Sequence, residues 1–336
     1  MTPIRQILIV SLMTFLCVGE AFAETLSVSP YKIQKYITTE NHSELSPVWR
    51  ELGIPAELST VYPRVGIVLD DPAIFDKCED CRTEIHPLTW KNSKDKLVAL
   101  KIYQPWGLCR FLIFRPLRDS TTDKLKWQFT GHADHDFARY QPPQHRTERL
   151  ANGRYFVIKA QGVSGTGASL EYERWYEITP YGMKEVLSLP LRGHECADAL
   201  SLCRTFSTRI EKNKCGNRHV RVLFRVQYTG NRFLLDGKSF DNILLFTKQK
   251  QAVYARSESG ADFVLSAPDS TISPNEARAV YHIGALSCED FIRFNHDDIL
   301  KIASSPRFRA RAWLTRYISG CEPTQAQAKL LQALTP

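Results

Sequence analysis

Residues 145–191 read HRTERLANGRYFVIKAQGVSGTGASLEYERWYEITPYGMKEVLSLPL, and this stretch decides the fold class. Four short apolar-rich runs are separated by turn residues, the pattern of an antiparallel meander. Strands are expected near 145–150, 154–161, 168–178 and 183–189. Asn152-Gly153 suits the two positive-φ positions of a tight hairpin turn, Gly162 to Gly167 reads as a looser Gly/Ser-rich loop, and Pro180-Tyr181-Gly182 supplies a third turn. In the third run, period two puts Leu170, Tyr172, Tyr176 and Ile178 on one face and Glu171, Glu173, Trp175 and Glu177 on the other.

C-terminal to the meander, residues 192–217 hold three cysteines and several charges with little period, and read as a disulfide-pinned loop. The clearest alternation of the chain follows. Val220, Val222, Phe224, Val226 and Tyr228 are expected in the core, with His219, Arg221, Leu223, Arg225 and Gln227 facing outward. Ile243–Thr247, Ala252–Arg256 and Asp262–Ser266 would complete a second meander. At Ser273-Pro274-Asn275-Glu276 a cap, a first-turn proline and a glutamate in capping-box order switch the chain to helix. One helical stripe comprises Cys288, Phe291, Ile292, Ile299, Ile302 and Ala303, interrupted by Asn295. A second comprises Ala310, Trp313, Leu314 and Tyr317 and stops at Gly320, and 323–334 is a last helix. Two consecutive helices packed antiparallel bring Cys288 beside Cys321, which predicts a disulfide between them.

N-terminal to the meander, Leu97–Tyr103 and Arg110–Arg115 form a hairpin, Val65–Leu69 reads as a buried strand, and Trp127–Thr130 is a short strand running into a polar loop, 131–140. Ser46 to Gly53 carries the cap, first-turn proline and glycine stop of a short helix. The expected architecture is mainly β, built of antiparallel meanders as a sandwich or a propeller-like stack, with a small α-helical C-terminal subdomain. Its boundaries are an N-terminal extension over 24–59, a β domain over 60–268 and helices over 269–336.

The first residues, MTPIRQILIVSLMTFLCVGEAFAE, combine Arg5, an apolar run and Ala21/Ala23 before Glu24. This is expected to be a signal peptide over 1–23, cleaved at Ala23/Glu24, which implies a secreted or periplasmic protein without a transmembrane segment in the mature chain. Loss of Cys17 with the leader leaves eight of the nine cysteines, an even number that favours disulfides in an exported chain. The net charge of +8 then points to an anionic polymer, a lipid surface or an envelope protein as partner, in preference to nucleic acid.

Four stretches carry candidate chemistry. Gly162–Gly167 has glycines spaced as in a phosphate-binding loop, but Ala168 stands where the lysine is required and a strand follows, so that chemistry is excluded. Cys78-Glu79-Asp80-Cys81 lacks the following helix of a redox pair, and its acids would raise the thiol pKa, which favours a structural role. Glu171 and Glu173 are candidate catalytic residues, lying ~7 Å apart on one strand face between the carboxylate separations of retaining and inverting glycosidases. Trp175 beside them is a candidate sugar platform. His132, Asp134, His135 and Asp136 are candidate zinc or manganese ligands, with a polar turn as the simpler reading and no cofactor as the default. Lys212, Lys214, Arg218, Arg221 and Arg225 form a candidate anion-binding face. The function expected from these residues is a non-catalytic binding protein recognising an anionic glycan, lipid head group or envelope partner. A secreted hydrolase, glycosidase-like or metal-dependent, is the alternative.

Overall fold

The computed structural model describes residues 28–58, 73–74, 80–90, 96–104, 107–118, 122, 124–136, 141–150, 153–165, 168–180, 182–196, 202–211, 219–257, 260, 262–281 and 287–335. The expected leader, the expected strand Val65–Leu69, and Cys78, Lys212, Lys214 and Arg218 lie outside them. Two helices come first, α1 (Pro30–Thr38) and α2 (Leu45–Glu51). The first escaped sequence reading, although Ser29 caps it through Lys32 N and Pro30 opens it. In the second, Glu44 stands at the N-cap in place of Ser46.

A short pair, β1 (Glu57–Leu58) and β2 (Ala73–Ile74), is followed by a four-stranded antiparallel meander: β3 (Arg82–Leu88), β4 (Leu97–Gln104), β5 (Leu108–Arg118) and β6 (Leu125–Asp136). An eight-stranded antiparallel sheet then runs in strict chain order. It comprises β7 (Gln144–Leu150), β8 (Gly153–Gly165), β9 (Ala168–Thr179), β10 (Gly182–Cys196), β11 (Leu202–Glu211), β12 (His219–Asn231), β13 (Asn242–Arg256) and β14 (Phe263–Leu265). One turn of helix, α3 (Phe233–Asp236), joins β12 to β13. The C-terminal helices are α4 (Pro274–Tyr281), α5 (Cys288–Ala303), α6 (Phe308–Ser319) and α7 (Gln325–Leu334).

The layers follow from which residues are apolar on which face. Tyr155, Phe156, Val157 and Ile158 on β8 are all fully buried. Tyr155 and Val157 join a cluster with Phe291, Ile299, Trp313 and Leu314 of the C-terminal helices, whereas Phe156 and Ile158 pack with Ala99, Phe111 and Ile113 of the smaller sheet. A continuous apolar run is thus a strand covered on both sides. The other face of the smaller sheet carries Leu100, Ile102, Leu112 and Phe114 against Ile33, Ile37, Val48 and Trp49 of α1 and α2. The order is helices, four-stranded sheet, eight-stranded sheet, helices. The two sheets meet face to face as in a sandwich, and no propeller blades occur among the described residues.

Several sequence-based boundaries are corrected. Gly153 pairs with Leu150 and Gly182 with Thr179, so both glycines belong to strands and not to turn centres. Most of 162–167 is also strand, since Gly165 pairs with Ala168; the irregularity there lies between Gln161 and Ser164. The expected loop 192–217 is mostly two strands, with Cys196 and Cys203 directly opposed and bonded, Cα–Cα 4.0 Å. The two runs expected at 243–247 and 252–256 are one strand, β13. The polar loop expected after Thr130 is instead the second half of β6. Gly131 permits this with φ +155, and a Cβ there would lie 2.8 Å from Met183 Cβ on β10, so only glycine lets the sheets approach this closely.

The helical cap is held down by three devices. Lys248 on β13 and Glu276 on α4, both buried, pair at 2.8 Å, while Ser273 Oγ accepts a hydrogen bond from Glu276 N. Glu276 therefore spends its carboxylate on the sheet and not on the reciprocal half of a capping box. Trp313 lies flat over Gly230, whose hypothetical Cβ would be 2.2 Å from its ring, and donates Nε1–H to Asn231 O at 2.8 Å. Cys288 and Cys321 are disulfide-bonded, Cα–Cα 5.9 Å, joining the start of α5 to the end of α6. Cys81 is also bonded, and Cys109 is a buried free thiol. With a separation of 33 residues, chain entropy sets the contribution of the helical crosslink at about 3 to 4 kcal/mol. The variant Cys288→Ser/Cys321→Ser is expected to lose about this much stability in urea unfolding while keeping its strand circular dichroism.

Candidate functional site

The His/Asp stretch of β6 is split by the strand's period of two. On one side, Asp134 accepts two hydrogen bonds from the fully buried Arg110, Nε to Oδ1 and Nη2 to Oδ2, both at 2.7 Å. Arg110 Nη1 also donates to Pro55 O at 2.8 Å, and its guanidinium lies over Trp49. The pair thus ties the N-terminal helical segment to the smaller sheet. His132 is 3.9 Å from Asp134, and burial lowers its pKa. His135 points the other way, between the sheets, with Nε2 3.1 Å and Nδ1 3.5 Å from the hydroxyls of Tyr176 and Tyr172. Its burial pushes the imidazole pKa well below 6.5, so it is a neutral core histidine. The side chain of Asp136 lies outside the described residues. Among those residues no group of three His, Cys, Asp or Glu converges on a point, and the carboxylate that would anchor a zinc or manganese ion is held by Arg110.

The Glu171/Glu173 face is covered where Glu173 and Trp175 stand. Trp175 is fully buried and unavailable as a sugar platform, and Glu173 is 5% exposed. Glu173 accepts Arg146 Nη2 at 2.8 Å and Trp175 Nε1 at 3.2 Å, while Arg146 Nε donates to Glu148 at 2.7 Å. Glu171 forms a separate ion pair with Lys159. The two carboxylates are thus held by different cations.

Polar groups do converge in two places. The first is a cleft of about 690 Å³ where the edge of the smaller sheet meets β7, β8 and β9, lined by Glu84, His86, Lys101, His145, Lys159 and Glu171 among others. Glu84 accepts from His86 Nε2 at 3.0 Å, Tyr103 Oη at 3.1 Å and Lys101 Nζ at 3.4 Å. Burial raises its pKa, but these hydrogen bonds and the Lys101 charge outweigh it and hold the carboxyl below its ordinary range. His145 packs edge-on against His86 at 4.5 Å between ring centroids, and against Phe111 at 5.6 Å. Burial first, and then the charges of His86 and Lys101, push its pKa down to about 4.

The second is the outward face of β11 to β13 together with β10 from Arg192 on. Arg192, Ser207, Arg225 and Gln249 are successive register partners across these four strands, and all four are exposed. Phe206, Phe224 and Val226 point to the opposite, helix-covered face. Ser207, Arg209, Leu223, Arg225 and Gln249 line a groove of about 430 Å³ here. Arg209 donates to Glu211 at 2.6 Å, but neither Arg192 nor Arg225 has a carboxylate partner among the described residues. Arg221 keeps Nε buried without an acceptor. Of the five basic residues expected on this face, Arg221 and Arg225 are therefore present. Arg192, which lay in the supposed loop, was missed. The signal that reveals it is register, since Arg192 is not near Arg225 in sequence.

Two expectations follow. Removing one partner of a buried ion pair costs about 3 to 5 kcal/mol, so Asp134→Ala, which strands the Arg110 charge, is expected to lower unfolding free energy by that order in urea. Unfolded His145 titrates near 6.5 and folded His145 near 4, so between these values the unfolded chain binds more protons and stability falls as pH falls. His145→Gln is expected to flatten part of the decline between pH 6.5 and 4 in pH-dependent urea melts. Comparison of the chain with models of protein families, with curated proteins and with solved structures finds no match.

Proposed function

We propose that the protein is an exported, secreted or periplasmic binding protein that holds anionic groups of its ligand on the arginine face of β10 to β12. The observation that carries this reading is the row Arg192–Ser207–Arg225, two exposed guanidinium groups flanking a hydroxyl on adjacent strands, with no carboxylate among the described residues taking up either charge. Two strand spacings of about 4.8 Å put the arginine backbones about 10 Å apart. A carboxylate, phosphate or sulfate can be forked by either guanidinium and can accept from Ser207 between them. Arg221, four residues along β12, extends the row along the strand and brings a donor short of an acceptor. Export is supported by the disulfides Cys196–Cys203 and Cys288–Cys321, and by the leader-like first residues. Among the described residues no helix is long and apolar enough to cross a membrane.

The test measures retention of the wild type and of Arg192→Ala/Arg225→Ala on carboxylated, sulfated and phosphorylated polymers and on anionic vesicles, across a salt series. Exposed charges are screened over about 8 Å at physiological salt, so wild-type retention is expected to fall steeply as salt rises. Losing two exposed contacts worth roughly 1 kcal/mol each is expected to weaken binding on the order of tenfold or more. Equal retention of both proteins on every matrix would overturn the proposal.

A further inference from the structure

The arginine row does not end at β10. In the sheet register, Arg192 is the partner of Glu171 on β9, and Glu171 is the partner of Gln161 on β8. Gln161 and Glu171 line the 690 Å³ cleft, and Ser207, Arg225 and Gln249 line the 430 Å³ groove. Arg192 stands between the two. Six polar residues are therefore successive register partners across β8 to β13, with a bulge in β10 between Pro190 and Arg192, and they reach both depressions over five strand spacings of about 4.8 Å, or about 24 Å.

The two ends differ in charge. At the cleft end the cations are already neutralised, Lys159 by Glu171 and Lys101 by Glu84. Gln141, Gln144 and Gln161 add amides, and His145 presents an imidazole that is neutral at physiological pH. Carboxylates beside amides and ammonium groups offer acceptors and donors together, which matches hydroxyl groups, each both donor and acceptor. The same carboxylates repel an anion. At the other end Arg192 and Arg225 have no carboxylate partner among the described residues and favour one.

Resting on the anion-binding reading above, we infer that the ligand is an acidic oligosaccharide, seated with neutral sugar hydroxyls in the cleft and with its acid groups along Arg192 and Arg225. A bilayer surface presents its charges in a plane and has nothing to place in the cleft. A short anion occupies the arginine end alone. Length and hydroxyl content are thus the properties that the track selects.

The experiment titrates the full chain with uronic-acid oligomers of increasing length, with a carboxyl-reduced oligomer of matched length, and with vesicles containing anionic lipid. Affinity is expected to rise with oligomer length until the track is spanned and then to level. Gln161→Ala/Glu171→Gln is expected to weaken the long oligomers on the order of tenfold and to leave the shortest acid and the vesicles unchanged. Gln161→Ala alone serves where the double variant does not fold. As a readout free of mutation, bound long oligomer is expected to protect Lys159 from an amine-reactive reagent. Long oligomers that bind the cleft variants as well as wild type and leave Lys159 unprotected would overturn the inference while the arginine row stands. Vesicles that bind as tightly as the long oligomers would overturn it in favour of a lipid surface. Loss of all discrimination between wild type and Arg192→Ala/Arg225→Ala would instead remove the anion-binding reading on which it rests.

Discussion

The structure depends on one constraint, that the middle of the eight-stranded sheet is apolar on both faces. Tyr155 and Val157 cannot be buried by the same layer as Phe156 and Ile158, because successive side chains leave a strand in opposite directions. Two separate covers are required. The four-stranded sheet serves one face and the C-terminal helices the other. Each cover then has a second surface of its own, and α1 and α2 meet that need for the smaller sheet.

The covers differ in extent, and this difference creates the candidate site. The helices shield one face as far as β13, through Phe246 and the Lys248–Glu276 pair. The smaller sheet contributes its packed contacts against Phe156, Ile158, Tyr176 and Ile178, on β8 and β9. From Arg192 onward the face turned away from the helices carries Ser207, Arg225 and Gln249. The cleft and the arginine row are the two places where the smaller sheet stops, one at its edge and one beyond its margin. A basic face of this kind needs no special backbone. It follows from leaving one side of four strands without a partner layer among the described residues.

Ion pairs with at least one buried member serve the joints between layers elsewhere. Arg110 and Asp134 fasten the N-terminal segment, Arg146 and Glu173 fasten β7 to β9, and Lys248 and Glu276 fasten the helical cap. Each buried pair contributes less net stability than its contacts suggest, since desolvation offsets much of the attraction. Breaking one is nonetheless costly, so these pairs hold the layers in register more than they add to overall stability. Glu173 and Asp134, chemically attractive as sequence motifs, are each held by an arginine in such a pair.

Local pattern by itself determined the strands of 145–191, the buried face of His219–Tyr228 and the helical stripes around Phe291 and Trp313, because each is set by a period of two or 3.6 within one segment. It determined the residue types of the basic face at Arg221 and Arg225 for the same reason. Burial was a different matter. Period two separates Glu173 and Trp175 from Tyr176, but which side meets water depends on what covers the sheet, and here both sides are covered. The reading of GHADHD as a loop failed because its residues are poor strand formers, and pairing with β5 outweighed that preference once Gly131 allowed the sheets to approach. The row from Gln161 to Gln249 spans residues far apart in the chain and exists only as register between strands. Register is set by side-chain burial and hairpin geometry acting together, so the tertiary structure alone decided which arginines became neighbours.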